Sequence, residues 1–528
     1  MFTLAMIIMP LNATKPVYQD NSQPIEKRVE DALQRMTLEE KVKLCTAQSK
    51  FSSHGVPRLG IPEVWMSDGP HGVRAEIEWN SWSHARWTND SSTAFPALTC
   101  LAATFNPSLA HDYGVAVGEE ARYRRKDILL GPGVNIYRTP LNGRNFEYMG
   151  EDPLLASRMA VPYIQGVQQN GVAACVKHFA LNNQEEWRGH INVNVSDRAL
   201  YEIYLPAFKA SVEDAKVWSV MGAYNQFRGQ HCCHNDLLLN KILKQDWKFD
   251  GVVVTDWGGA HDTRQAALNG LDIEMGSYTN GLTSEAEFGY NDYFLADPFL
   301  ALLRKGELPV SVVDEKARRI LRLIFRTAMN AERPFGRYVC ADHSATALRV
   351  AEEGIVLLKN RHNLLPVQPG KYKRIAVIGE NATKNLTEGG GSSELKVKYQ
   401  VSPLEGLQKT YGAESIVHAM GYSSGPSVYG RVEEPAEDQQ KLFDEAIEVA
   451  RNAEIVFFVG GLNKNHYQDC EGGDRQQFGL PFNQDKLISE ILKVNKNLVL
   501  VLVSGNAVAM PWEKELPAIV QTWYLGSE

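Results

Sequence analysis

Two successive blocks of alternating apolar runs and amphipathic helical stretches predict an α/β protein. The expected form is an N-terminal (β/α)8 TIM-like barrel followed by an α/β sandwich domain that looks C-terminally truncated. Three observations carry this. The run Val252-Val253-Val254 lacks polar alternation, as in a parallel strand buried on both faces. Polar groups recur where such runs end: Ser67-Asp68, Lys177-His178, Tyr224-Asn225 and Thr255-Asp256. A barrel gathers its chemistry at that end of its strands. Finally, roughly 300 residues of repeated βα units suit a closed barrel better than an open sheet.

The elements follow in order. Residues 1–11 are apolar and 12–23 polar, which resembles a signal-peptide core without its basic leader, so 1–25 reads as a leader or signal-like segment. A periplasmic or secreted protein is expected, with the cytoplasm as the alternative. The barrel is assigned to 26–335. Thr37 and Glu40 form a capping box ahead of a helix carrying Leu38, Val42 and Leu44. Strands are expected within 128–135, 172–179, 218–225 and 251–256, and helices over 197–215 and 313–325. Arg333-Pro334-Phe335-Gly336 breaks the pattern, and 336–370 reads as a linker. The sandwich domain, 371–528, has apolar runs at 375–379, 455–460, 498–503 and 519–525, with helices over 442–451 and 486–494. It stops directly after a strand, so it reads as incomplete.

Composition removes several classes. Among 528 residues, 44% are hydrophobic and 22% charged, ordinary values for a globular protein. A net charge of −8 without a basic run argues against nucleic acid as a partner. No segment has the ~18 apolar residues of a membrane span. Seven cysteines lack zinc-type pairing; in His231-Cys232-Cys233-His234 adjacent side chains diverge rather than converge on one ion. Gly389-Gly390-Gly391-Ser392-Ser393 resembles a phosphate cradle, but no Gly-Lys-Ser/Thr follows.

Asp256 ends the valine strand, and Trp257 beside it offers an apolar platform for a sugar ring. Alone, Asp256 reads more readily as a cap of the next helix. Glu471, in Asp469-Cys470-Glu471-Gly472-Gly473-Asp474-Arg475, is the second carboxylate of interest; alone it reads as a solvated loop residue. Hydrolysis of a glycosidic bond needs two carboxyls, one to attack or stabilise and one to protonate the leaving oxygen.

Taken together, Ser67-Asp68-Gly69-Pro70-His71-Gly72-Val73-Arg74, Gly143-Arg144-Asn145-Phe146-Glu147, Gly150-Glu151-Asp152-Pro153, Lys177-His178-Phe179 and Thr255-Asp256-Trp257 resemble family 3 glycoside hydrolases over about 26–528. The resemblance implies Asp256 as nucleophile and Glu471 as acid/base. It implies substrate binding by Asp68, Arg144, Lys177, His178, Arg188, Met221, Tyr224 and Trp257. Asp68 would anchor two sugar hydroxyls, Arg144 and Lys177 would donate to hydroxyls and keep Asp256 ionised, and Tyr224 would hydrogen-bond the nucleophile. Glu147, Glu151 and Asp152 would be loop partners of Arg144. The Gly389–Ser393 stretch becomes a loop over the barrel mouth.

Within that family, Asp68 rather than Glu favours glucosides over xylosides, and the 180–186 loop lacks the His of the N-acetylglucosaminidases. The expectation is a retaining, exo-acting β-glucosidase acting on β-glucosides or oligosaccharides, with a β-xylosidase or another family 3 glycosidase as alternative. No cofactor and no metal are expected, and a homodimer is left open. Two further classes stand beside it: a Schiff-base aldolase on Lys177 with His178 as base, and a non-hydrolytic glycan-binding protein. The active site should lie between the domains, with Glu471 delivered onto the barrel and its pKa raised for acid work once a substrate and the neighbouring Asp256 charge surround it.

Overall fold

The computed structural model describes residues 15–276 and 289–528. Five strands lie side by side in sequence order, all parallel: Met66–Asp68, Ile128–Leu130, Ala173–Phe179, Ser219–Gly222 and Val252–Thr255. Every residue of the last is buried, as a strand covered on both faces requires. The sheet curls on through single bridges. Val254 meets Ile273 and Thr46 meets Glu274, both parallel, and Ser52 meets Trp65 antiparallel, next to Met66. The hairpin Ala47–Ser49 with Ser52–Ser53 lies between the last two bridges, so the barrel closes with one reversed strand instead of eight repeats.

Helices Pro107–Tyr123 and Pro153–Gln168 pack together outside the strands. Both begin with Pro, whose missing N–H costs nothing in a first turn. Asp152 caps the second by accepting from the Leu154 and Leu155 amides, so it is a helix cap and not a partner of Arg144. The helix expected over 197–215 is interrupted. A turn at Asp197–Ala199 gives way to a wider turn over Leu200–Tyr204, and Pro206 starts a fresh helix to Glu213 because it cannot continue the old one. The capping box of Thr37 and Glu40 is formed.

Two boundaries move. Residues 15–25 belong to the barrel wall: Tyr18 is buried, its hydroxyl donates to the Leu59 carbonyl at 2.8 Å, and Arg28 Nε donates to the Tyr18 carbonyl. An aromatic ring that fills a core gap fixes its segment, whatever the polarity around it. The apolar stretch 1–11 lies outside the described residues. Within 336–370, helix Ala341–Gly354 packs on the barrel helices Leu98–Ala103 and Pro107–Tyr123. His343 sits there between Glu119 and Glu120, at 2.8 and 2.9 Å. Strand Val356–Asn360 then pairs antiparallel with Ala518–Gln521, so the second domain starts inside the expected linker.

That domain holds a six-stranded sheet in the order Val356–Asn360, Ala518–Gln521, Leu498–Val503, Ile455–Gly461, Ile375–Ile378 and Ile416–Ala419, parallel except for the first. Helices Gln439–Arg451 and Gln484–Val494 cover one face, burying Ala446, Leu487 and Ile491 with Val456, Phe458 and Leu500. On the other face Val377, Val459, Val503 and Tyr524 pack with Ala97 and Phe146 of the barrel. The two domains therefore share a small hydrophobic core, and it lies beside the polar ends of the barrel strands.

Candidate active site

The ends of the barrel strands and two loops of the second domain enclose a cavity of about 410 Å3. All the residues singled out from the sequence line it: Asp68, Arg144, Lys177, His178, Arg188, Met221, Tyr224, Asp256, Trp257 and Glu471. A larger cavity, about 740 Å3, lies elsewhere around Trp65, Tyr123 and Asp127. Its carboxylates Glu76, Asp90 and Asp127 are tied to Arg124, Lys126, Lys396 and Arg333, and Glu63 accepts from the Trp65 indole N–H, so all four are already engaged.

Asp256 sits one residue past its strand, and its Oδ1 accepts from the Trp257 amide at 2.9 Å. His178 Nε2 lies 3.6 Å from Oδ2. The Trp257 indole N–H donates to the Lys50 carbonyl and its ring leans on Phe51, which fixes the platform beside the carboxylate. Asp68 ends its own strand, and Arg74 Nη1 donates to its Oδ2 at 3.0 Å. Arg144 and Lys177 are both 1% exposed and share one counter-ion. Glu147 accepts from Arg144 Nε at 2.8 Å and Nη2 at 3.0 Å, and lies 2.9 Å from Lys177 Nζ. Glu151, by contrast, is exposed. The Lys177 ammonium is engaged by the buried Glu147 carboxylate, which argues against the Schiff-base reading. The cysteines of the 231–234 run also diverge: Cys232 Sγ turns to the Ala180 carbonyl and Cys233 Sγ to that of Ala223.

Glu471 enters from the second domain. Its Oε1 accepts from Arg188 Nη2 at 2.8 Å and its Oε2 from the Ser392 amide at 2.7 Å; Arg144 Nη1 is 3.9 Å away. The Gly389–Ser393 loop thus faces the cavity and supplies a backbone donor to Glu471. Gly391 has φ +91°, and a Cβ there would meet Glu471 Oε2 at 2.7 Å, so only glycine fits. Arg188 also stacks on Tyr224, 4.5 Å from guanidinium carbon to ring centroid.

The two carboxylates are pushed apart electrostatically. Burial raises Asp256, only partly offset by Arg188 and Arg144. For Glu471 burial acts in the same sense, but Arg144, Arg188 and the Ser392 amide outweigh it and hold the carboxyl well below its ordinary range. This arrangement holds Glu471 as a carboxylate. The reason is the double arginine contact, which the sequence could not display. His178 is driven well down by burial, then by Arg144 and Lys177, so it is neutral. Burial raises the Tyr224 phenol well above its ordinary value, and the neighbouring Asp256 charge adds to this.

Sequence reasoning missed Ser392, Arg74, Glu185, Trp82 and Tyr429. Arg74 closes a motif that was quoted for Asp68 alone. Ser392 stood in a loop read as lying over the barrel mouth, with no contact to Glu471 assigned to it. Glu185 is buried behind Arg188, and its Oε2 accepts from Arg188 Nη1 at 2.5 Å.

Comparison with known proteins agrees with this arrangement. The model of the glycosyl hydrolase family 3 N-terminal domain matches residues 33–323, and that of the family 3 C-terminal domain matches 355–528. Beta-glucosidase BoGH3A of Bacteroides ovatus is 67% identical over 97% of this chain and 69% of its own length. An exo-alpha-(1->6)-L-arabinopyranosidase of Bifidobacterium longum is 36% identical over 93% of this chain and 62% of its own length. The chain therefore spans about two thirds of the length of such relatives. Beta-glucosidase 3B of Thermotoga neapolitana, solved in complex with glucose, superposes with a TM-score of 0.82 at 30% identity, over 95% of this chain and 72% of that one. With both domain models matched in order and the two carboxylates facing one cavity from the two matched domains, the chain belongs to glycoside hydrolase family 3.

Proposed function

We propose that this chain is a retaining, exo-acting β-glucosidase that removes terminal non-reducing β-D-glucosyl residues from oligosaccharides or glucosides. One observation carries the reading: Asp256 from the barrel and Glu471 from the second domain face one cavity, which Asp68, Lys177 and Met221 also line. Asp256 attacks the anomeric carbon as the C–O bond to the aglycone breaks, and Glu471 gives its proton to the departing oxygen. Glu471, now a carboxylate, takes a proton from water; the water attacks the same carbon and Asp256 leaves as a carboxylate. The depressed Glu471 suits the second step, when Asp256 is a neutral ester. The first step needs its proton, and a bound sugar favours this by desolvating Glu471 further beside the Asp256 charge.

The Bacteroides relative at 67% identity supports a β-glucoside as substrate. A second reading, release of L-arabinopyranosyl units, draws on the Bifidobacterium relative. L-Arabinopyranose lacks the hydroxymethyl group of glucose and carries its 4-hydroxyl axial, whereas xylose lacks the hydroxymethyl group alone, so aryl β-glucoside, β-xyloside and α-L-arabinopyranoside assayed side by side decide between them. The glucoside should be cleaved fastest; preference for either pentoside overturns the assignment. Asp256→Ala should lower kcat by at least about a thousandfold with the fold intact, and a 2-deoxy-2-fluoroglucoside should label Asp256. Labelling of another carboxylate would reassign the nucleophile. The apolar stretch at 1–11 supports export to the periplasm or medium, which cell fractionation checks.

A further inference from the structure

The loop that carries Glu471 and the barrel loop that carries Arg188 exchange contacts in both directions. From the barrel, Glu185 Oε2 accepts from the Gly472 amide at 3.0 Å and from Arg188 Nη1, while Arg188 Nη2 reaches Glu471. From the second domain, Asp474 Oδ1 accepts from the amides of Glu185 at 2.9 Å and Gly143 at 3.0 Å, and Oδ2 from that of Glu186 at 3.1 Å. Glu185 is 2% exposed, and its Oε1 has no hydrogen-bond partner among the described residues. A carboxylate buried at such cost, away from the cavity lining, asks for a reason. We infer that Glu185 is the positioning residue of Glu471, holding Arg188 from behind and the Gly472 amide beside it, with Asp474 closing the latch from the opposite loop.

The inference rests on the reading of Glu471 as acid/base, and it adds a consequence. Arg188 serves two carboxylates at once. Glu185 therefore draws off part of the guanidinium charge that would otherwise bear on Glu471 alone, and eases the protonation that Glu471 needs. The groups facing Glu185 fit this: Arg188 and Arg144 oppose the effect of its burial, and Glu471 reinforces it. Loss of Glu185 should thus harm proton donation more than nucleophilic attack.

Leaving-group dependence tests it, because methyl β-glucoside needs a proton on its departing oxygen and 2,4-dinitrophenyl β-glucoside does not. At pH 8, where Glu185 is ionised, Glu185→Gln should lower kcat/KM about tenfold or more on the methyl glucoside and less than about threefold on the dinitrophenyl glucoside. Asp474→Asn, which weakens the latch from the other side, should shift the same ratio in the same direction and serves if the first variant does not fold. Equal losses on both substrates, or none on the methyl glucoside, overturn the inference. Glu471→Ala, run in parallel, should show the selective loss in its strongest form and make β-glucosyl azide when azide is added. If it does neither, the acid/base assignment itself has failed, a result distinct from failure of the latch alone.

Discussion

Glu147 is fully buried and neutralises two cations, so it governs the charge balance beneath the sugar site. Replacing it with Gln keeps the shape but leaves Arg144 and Lys177 without their counter-charge. A loss of about 3–5 kcal/mol is expected from the urea midpoint, as for other broken buried pairs. Its carboxyl is held low by Arg144 and Lys177 against the effect of burial. The stabilisation it gives is therefore present above its unfolded pKa near 4.5 and lost only as pH falls through the depressed folded value. Glu185 behaves oppositely, because burial lifts it to about 7. Its contribution is complete below its unfolded value of 4.5 and is lost as pH rises through about 7. Across pH 5 to 8 the protein should lose up to about 3 kcal/mol through this group, and Glu185→Gln should flatten that slope in denaturation series run at each pH. A slope that persists unchanged would place the titration elsewhere. Asp256 was legible in the sequence because a strand-end carboxylate beside Trp is a local pattern, and Glu471 because its loop matched a motif. Glu185 and Ser392 were not, since each acquires its role only by meeting a residue distant in the chain.

Gly143 shows what the loops require as elements. A Cβ on it would stand 2.2 Å from the Gly473 carbonyl oxygen and 2.3 Å from that of Cys470, so the barrel turn and the Glu471 loop touch backbone to backbone. Gly143→Ala must push the loop away, while no strand or helix of either domain includes the position. Circular dichroism and melting temperature should stay near those of the parent as kcat/KM falls about a hundredfold, the cost of misplacing a catalytic group by about an ångström. A variant with parental turnover would show that the loop tolerates displacement. Elements with strong patterns were readable in advance: the valine strand, the capping box and the helix Ser311–Arg326 all formed. Weak or frustrated ones were not. Ile416–Ala419 is a four-residue, half-exposed edge strand containing His418, too short to show a period. Val356–Asn360 sits in a stretch taken for a linker, and its pairing partner is some 160 residues away.

For the whole molecule, the joint between the domains ties their stabilities together, and under the proposed function it also sets the place of Glu471. Phe146 is fully buried and packs on Tyr524 and the Val377, Val459 and Val503 side chains of the second sheet. It belongs to the same short turn, Asn145–Glu147, as the carboxylate that holds Arg144 and Lys177. Gly505 lies so close that a Cβ there would meet the Phe146 Cβ at 2.1 Å, and Asn145 Nδ2 donates to Asn506 Oδ1. Hydrophobic burial, side-chain hydrogen bonds and the Asp474 contacts all cross the boundary here, so neither domain can melt without exposing the apolar face of the other. A single calorimetric transition is expected for the protein. Phe146→Ala removes the central ring, at a cost of about 3–5 kcal/mol, and the cavity falls at the joint and not in either domain's own core. The transition should then split in two, the barrel and the second sheet melting apart, with turnover lost at the lower step because Glu471 departs with its domain. A lowered but still single transition would mean that the remaining polar contacts alone couple the domains, and that Phe146 contributes packing without coupling.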